Sequence, residues 1–476
     1  MSRLARNTAF LTIASIGQKF IAFVYFALIA RIVGVEWTGK YFLALSITTM
    51  VGVIADFGLT PVLVRETAKH PDDQQKILSH VLGMKLGLSA LAAAIVVIVS
   101  FALGYDELTR SLMYVAIGVM ILDSFHLTYY GVFRGRHTLG FESIGIFIGQ
   151  AITLMIGVTS LLVAPNLVVL IIALLGGSLW NVLYSSSRLR KVGLNPFKFE
   201  IGAWSKKLLK MAFPFALAAI FVKIYSTTDS ILLERHLGDE AVGWYSIAYK
   251  LTYAFQFLPM AFVAALYPTF SKLIHDNDPK KLEDTFNKAM WYMMILAVPI
   301  VMGISAVAHD VVPLIYGTDY LNSVMPLQVL IFVLFFIFLD FPIGALLNAD
   351  DRQATKTAIM GGTMIINVVA NLILIPLYGI LGASIAAVIS FAFLFGAGMI
   401  AVRKSLKYDL MKLLKIWAPI VLSGIFMFLA VTGLQPYVHV AVEVIAGGAV
   451  YVAGLFIFKA IAFDQIKEFL QGIRKV

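Results

Sequence analysis

Long apolar runs separated by short polar gaps follow one another along the chain from Phe10 to near Phe463. A bilayer-spanning helix needs about 20 mostly apolar residues. On that rule the pattern predicts spans at 10–32, 41–63, 80–103, 111–133, 141–163, 167–187, 212–234, 243–268, 286–307, 326–348, 357–376, 381–402, 416–434 and 439–463. The expected fold class is therefore an all-α polytopic membrane protein with about fourteen transmembrane helices. Arg3 and Arg6 ahead of the first run resemble the start of a signal peptide. That run continues to Ile32 without an A-x-A-like cleavage site, which predicts a retained first span.

The polar gaps alternate in charge. Those holding Arg65, Lys69 and Lys76, then Arg134 and Arg136, Arg188 through Lys210, Lys272 through Lys288, Arg352 and Lys356, and Arg403 through Lys415 are rich in basic residues. The intervening gaps, such as 104–109, 164–166, 377–379 and 435–438, have almost none. An even span count with basic gaps inside places both termini in the cytoplasm of a cell in whose inner membrane the chain resides. The outward gap from His309 to Met325 is expected to be a loop, too short to fold by itself.

One stretch is written twice. Lys19 leads into Arg31-Ile-Val-Gly34-Val-Glu36-Trp-Thr-Gly39-Lys-Tyr41, and Lys223 leads into Arg235-His-Leu-Gly238-Asp-Glu240-Ala-Val-Gly243-Trp-Tyr245. All six matched pairs lie 204 positions apart. The chain thus reads as two related six-span bundles of the same membrane sense, 1–190 and 211–404. A cytoplasmic linker at 191–210 joins them, and 405–476 adds a helix pair and a cytoplasmic tail. A weaker echo links Gly131-Val-Phe-Arg134-Gly-Arg136 to Gly344 through Arg352, with the spacing not kept.

Composition agrees with the pattern. Of 476 residues, 60% are hydrophobic and 13% charged, and the mean hydropathy is +0.89. A soluble domain would carry roughly 25% charge. The net charge of +10 lies in the membrane-flanking gaps and so gives no nucleic-acid footprint. With no cysteine, disulfides, thiolate metal sites and cysteine nucleophiles are excluded, and no cofactor or metal is expected. Prolines in or at spans, among them Pro214, Pro259, Pro299, Pro342 and Pro419, predict kinks.

A charged side chain near the bilayer centre costs about 2.5–3.5 kcal/mol, so each one inside a span needs a reason. Lys19 and Lys223 fall near the middle of spans one and seven, too deep for the stem to reach the interface. They either face a wet cavity and an anion or are neutralised by neighbouring carboxylates, Asp56 for Lys19 and Asp229 or Asp340 for Lys223. Arg31 and Arg235 end those spans, each with a glutamate five residues on, which reads first as a tied turn. Lys85 and Lys250 lie within snorkelling reach of opposite surfaces. Asp56 and Arg65, nine residues apart, do not meet on one helix. Asp123 and Asp340, on the fourth spans of their bundles, form a loosely symmetric pair that either titrates or serves structure. Glu443 is a further charge in the last span. Asp56, Asp123, Asp229 and Asp340 are the candidates for coupling to Na+ or H+.

These residues resemble a known family. The opening Arg6/Asn7-Thr8 with Leu11, the Gly34-x-x-x-x-Gly39-x-Tyr41 turn, and Asp56-Phe57-Gly58-Leu59 followed by Arg65-Glu66 look like Wzx-type oligosaccharide flippases. These form the polysaccharide transporter branch of the multidrug/oligosaccharidyl-lipid/polysaccharide exporter superfamily. The resemblance implies a transporter that carries a polyprenyl-diphosphate-linked oligosaccharide from the inner to the outer leaflet by alternating access. It implies basic cavity residues that meet the diphosphate, with Lys19 and Lys223 in matching positions and Arg31, Arg65 and Lys250 as further candidates. Membrane lipids are implied partners, as are a glycan polymerase or glycosyltransferases of the same pathway. The last two spans would correspond to the extra pair that in lipid II flippases helps to form a lipid groove.

Two other functions fit parts of the pattern. A cation-coupled drug or toxin antiporter of the same fold would use Asp56, Asp229 and Asp340 in an acidic cavity. A membrane glycosyltransferase or ligase would need catalytic groups in an outward loop, where only Asp310 and Asp319 stand. A purely structural membrane protein would leave the two midplane lysines unexplained.

Overall fold

The computed structural model describes the backbone of residues 3–435 and 437–461, and side chains at 11–12, 14–259, 266–435 and 437–461. The predicted tail beyond 461 and the end of the predicted 439–463 span lie outside the described residues. Among those described, every regular element is a helix. Twelve helical stretches are long and apolar enough to cross a membrane.

The chain divides into two compact units, Met1–Gly243 and Trp244–Val476. The first contains α1 (Arg3–Val33), α2 (Val35–Asp56), α3 (Leu59–Lys69), α4 (Gln74–Ala102), α5 (Glu107–Gly135), α6 (Gly140–Val163), α7 (Leu167–Lys191), α8 (Ala203–Tyr225) and α9 (Thr228–Leu237). It ends inside α10 (Asp239–Tyr253). The seventh predicted span, placed by the sequence pattern in the second bundle, thus packs as α8 against α2, α3 and α4. The 192–202 segment before it is held along the ends of α4 and α5. Glu200 N donates to Ser79 O at 3.0 Å and Tyr129 OH to Pro196 O at 3.0 Å.

The second unit continues with α11 (Met260–His275), α12 (Pro279–Tyr316), α13 (Val324–Leu330), α14 (Phe332–Ala349), α15 (Gln353–Val402), α16 (Leu410–Leu434) and α17 (Val440–Ile457). Two expectations need correction here. The predicted span 243–268 is interrupted at 254–259, just before Pro259, which has no backbone donor and disfavours a helical residue ahead of it. The predicted loop 309–325 is largely helical, because α12 runs on to Tyr316 and a 3₁₀ turn, Thr318–Ser323, leads into α13. The predicted spans 357–376 and 381–402 are kept as two helices within α15, which turns back between them at Gly379 (φ 58°). A Cβ on Gly382 would lie 2.1 Å from Leu374 O, a distance that eight residues of straight helix could not give.

Helix starts are specified locally. Asp106, Asn166, Asp278 and Asp409 cap α5, α7, α12 and α16 by accepting from backbone N–H groups, as at Thr109 N, 2.9 Å from Asp106 Oδ1. Arginines fasten neighbouring ends. Arg134 pairs with Glu142 of α6, and Arg352 donates to Ala401 O at 2.7 Å at the end of α15. The weak sequence echo between these two regions therefore ends in a similar clamp in each unit.

The repeated motif meets its own copy inside the first unit. A Cβ on Gly39 would fall 1.9 Å from Asp239 O, and one on Gly243 would fall 2.2 Å from Val35 O. Glycine at both matched positions is what lets the starts of α2 and α10 touch backbone to backbone. Accordingly, Gly39→Ala should destabilise the protein by about 1–3 kcal/mol. Thermal unfolding in detergent should show this loss, whereas Gly396→Ala, whose Cβ meets nothing within 4 Å, should not lower stability.

Candidate functional site

The break between α2 and α3 builds the site. Phe57 (φ 44°) and Gly58 (φ 69°) are both left-handed, so the helix stops at Asp56 and resumes at Leu59. Gly58 is required twice over, since a Cβ there would also lie 2.7 Å from Ala212 O of α8. The freed Asp56 carboxylate meets Lys85, which rises from α4 and is 0% exposed. Lys85 Nζ lies 2.6 Å from Asp56 Oδ1, 2.8 Å from Ser124 O, 3.1 Å from Ser124 Oγ and 3.2 Å from Thr60 Oγ1. Thr60 Oγ1 also donates to Asp56, and Ser124 Oγ donates to Ala55 O at 3.2 Å.

Two expectations are corrected by this cluster. The partner of Asp56 is Lys85 rather than Lys19, and Lys85 does not snorkel. A buried ammonium needs a counter-charge and acceptors for its three protons, and the helix break supplies both beside it.

Next to this pair, α2, α5 and α8 line an open cavity of about 310 Å³. Its wall includes Thr48, Thr49 and Asp56 of α2, Met120, Asp123 and Leu127 of α5, and Lys223 of α8. The Asp56 side chain is 32% exposed, so the pair with Lys85 leaves part of the carboxylate on the wall. Asp123, 44% exposed, accepts from Ser178 Oγ at 2.6 Å and lies 3.0 Å from His126 Nε2. The Lys223 ammonium has no hydrogen bond or ion pair among the described residues. The cavity thus joins one unengaged ammonium to two engaged carboxylates, one of which is neutralised from behind.

The remaining candidates stand elsewhere. Lys19 and Arg31 are exposed on α1 and do not line this cavity. Arg65 is half exposed, with Nε 3.2 Å from Glu66 Oε1, and Lys250 is half-buried on α10. Asp229 is buried in the first turn of α9, where Oδ1 accepts from Ser230 N at 2.8 Å. Asp340 of α14 is half-buried, 3.6 Å from where a Cβ of Gly398 would sit. Glu443 is buried and its Oε2 lacks a partner among the described residues.

Sequence reasoning passed over Lys40. Its Nζ lies 2.6 Å from Asp106, 3.4 Å from Asp239 and 3.6 Å from Glu36. It joins the capped start of α5 to the start of α10, both copies of the motif being involved. Lys40 sits inside the motif but is not repeated, because Trp244 occupies the matching position; comparing the copies therefore skips it. Ser178 and Thr60 were missed for another reason, since a lone hydroxyl in an apolar run carries no sequence signal. Among the described residues no group of three or more His, Asp or Glu could hold a metal.

Comparison with known proteins places this arrangement. The family model described as "Polysaccharide biosynthesis protein" matches residues 4–274, more than half of the chain. The chain belongs to the polysaccharide biosynthesis protein family. A second model, MatE, matches residues 214–373. Among relatives of this polysaccharide biosynthesis protein is the Haloferax volcanii "Probable low-salt glycan biosynthesis flippase Agl15". It is 22% identical, and the match covers 98% of this chain and 99% of that protein. The Escherichia coli "Lipopolysaccharide biosynthesis protein WzxC" is 25% identical over 73% of this chain and 70% of its own. The solved structure titled "Lipid II flippase MurJ, inward closed conformation" superposes with a TM-score of 0.73 at 17% identity, covering 94% of this chain and 98% of that one. The polysaccharide biosynthesis protein described here is thus a multi-pass membrane transporter of the fold shared with MurJ.

Two outcomes test the charge clusters. Lys85→Met should destabilise by about 3–5 kcal/mol, and adding Asp56→Leu should recover much of that loss, as read from thermal unfolding in detergent. The Lys40 cluster predicts a pH dependence. Burial pushes Asp106 up, but hydrogen bonds from Lys40 and Thr109 outweigh it and hold the carboxyl below its ordinary value. Its contribution is therefore present above the unfolded pKa, about 3.9, and is lost as the pH falls through the folded one. Burial raises Asp239, and Lys40 only partly offsets it, so protonation there relieves a cost. Asp106→Asn, which keeps the cap, should lower the melting temperature near neutral pH by the equivalent of less than about 1 kcal/mol. That difference should vanish in strong acid, and Asp239→Asn should be neutral or stabilising near neutral pH.

Proposed function

We propose that this polysaccharide biosynthesis protein is a flippase that carries a polyprenyl-diphosphate-linked oligosaccharide from the inner to the outer leaflet by alternating access. The observation that carries this reading is the Lys223 ammonium, unengaged on a cavity wall inside a membrane-spanning unit. An ammonium in that setting is stabilised by water or by an anion, and a diphosphate brings a concentrated negative charge. A lysine, compact and without a fixed fork, suits a phosphate that has to be released again. The names of Agl15, WzxC and MurJ support a lipid-linked glycan as the cargo class. Lys19, Arg31, Arg65 and Lys250 are secondary candidates along the path of the anion.

Coupling to H+ or Na+ is assigned to Asp123 and Asp340 ahead of Asp56 and Asp229. Asp123 is partly exposed on the cavity wall beside His126, whereas Asp56 is tied to Lys85 and Asp229 is buried and accepts from Ser230 N. The protein is placed in the cytoplasmic membrane with both termini inside, the orientation that the basic gaps favour. Glycosyltransferases or a polymerase of the same pathway are its proposed partners. One observation favours a cation antiporter of the same fold as a second reading: Asp56 and Asp123 both reach the cavity.

Leaflet-resolved labelling of lipid-linked oligosaccharide in membrane vesicles separates the two readings. Lys223→Ala should slow translocation about tenfold or more, the scale of one hydrogen bond to a charged group, and Lys223→Arg should retain a larger share. Lys223→Glu should abolish glycan movement, whereas a cation antiporter would keep or gain transport with that change. Undiminished glycan translocation by Lys223→Ala would overturn the assignment.

A further inference from the structure

The second unit holds a larger and more basic pocket that the transport reading does not use. It measures about 850 Å³ and lies where the starts of α12 and α16 meet the end of α17. Four lysines, Lys288, Lys412, Lys415 and Lys459, line it against one aspartate, Asp284. Among the described residues, Lys412 alone of the four forms an ion pair, with Glu283 at 3.9 Å. Trp291 and Tyr292 form part of the wall, with the Trp291 ring fixed by Nε1 donating to Ala460 O at 3.2 Å. The chain leaving α17 is thereby folded over the pocket's edge, and Tyr451 OH, donating to Ile295 O at 3.0 Å, holds α17 to α12.

A second observation points to a ligand. Asn287, 7% exposed, also lines the pocket, and its Oδ1 has no hydrogen bond among the described residues. A buried amide oxygen without a partner costs about 1–3 kcal/mol unless something supplies one. That oxygen accepts, so the partner that suits it is a donor such as a headgroup hydroxyl.

The location selects the ligand class. Charged first turns of α12 and α16, with indole and phenol beside them, mark the boundary between hydrocarbon and water. Beyond that boundary α16 exposes Leu422, Ile425 and Phe426. An anion seated among the lysines would have apolar side chains along which acyl tails could run. We propose that this pocket binds the phosphodiester headgroup of an anionic, hydroxyl-bearing membrane lipid, which fastens the α16–α17 pair to α12.

The test uses the full chain in detergent, mixed with phosphatidylglycerol, phosphatidylcholine or inorganic phosphate, and reads retained ligand by native mass spectrometry. Phosphatidylglycerol should be retained at least tenfold more than phosphatidylcholine, and Lys288→Ala/Lys412→Ala/Lys415→Ala should remove that preference. Asn287→Leu should weaken retention of phosphatidylglycerol in particular. Equal retention of the two lipids, or an unchanged preference in the triple variant, overturns the proposal. Displacement of phosphatidylglycerol by millimolar inorganic phosphate would overturn the lipid assignment in favour of a free anion. A variant-independent reading comes from brominated lipids: the fluorescence that Trp291→Phe removes should be quenched more by brominated phosphatidylglycerol than by brominated phosphatidylcholine. Because these measurements read retention and proximity, their failure is separate from failure of translocation at Lys223.

Discussion

A charge inside hydrocarbon must be paired, wetted or absent, and the pair of Lys85 with Asp56 is where this constraint shapes the first unit most. The fully buried Lys85 ammonium needs a counter-charge there, because a few neutral dipoles do not return the cost of taking it out of water. Lys85 and Asp56, with Thr60 and Ser124 completing the ammonium's shell, bind α2, α3, α4 and α5 at one point. The left-handed residues Phe57 and Gly58 are what allow it. An unbroken helix would carry Asp56 in the regular ladder and leave no opening for α8 to approach through Gly58.

The same constraint explains why Lys223 stands out. Lys85 shows what an ammonium acquires when its role is structural: a carboxylate, a carbonyl and two hydroxyls. Lys223 borders the same neighbourhood and has none of these among the described residues. The carboxylate that could have engaged it, Asp56, is already committed from the opposite side. Committing Asp56 to Lys85 thus removes one competitor for Lys223, and Ser178 engages Asp123 in turn. The cavity's cation is left with its charge uncancelled by direct contact, the condition an anionic cargo requires.

How far the sequence discloses all this depends on periodicity and symmetry. Length and apolarity of runs are set by the bilayer, so the helical fold class and most spans are legible. The offset of 204 positions is legible too, and it picks out Gly39 and Gly243, which meet in space. What the sequence hides is pairing across helices. Lys85 looks like a snorkelling residue because its distance from the span's end is visible and the break that delivers Asp56 is not. Lys40 is hidden for the opposite reason: it departs from the repeat, and two of its three carboxylates, Asp106 and Asp239, come from distant positions. Pro259 signals a break, but only the folded chain shows that it divides a predicted span.

Departures from symmetry carry much of the chemistry. The matched glycines are kept because two backbones must touch, and that contact tolerates no side chain on either copy. At the next position the copies diverge to Lys40 and Trp244. Lys40 draws in Asp106 and Asp239, while Trp244 Nε1 donates to Asp319 O within the second unit. A duplicated fold thus starts with equivalent contacts and gains distinct ones wherever a single substitution gives one copy a charge. Lys223 follows the same logic in reverse. The lysine is kept in both copies, but on α1 it is exposed, whereas on α8 it lines a cavity prepared by Asp56 and Lys85. Identity of residue was preserved while environment changed, and environment decides what an ammonium inside a membrane can do.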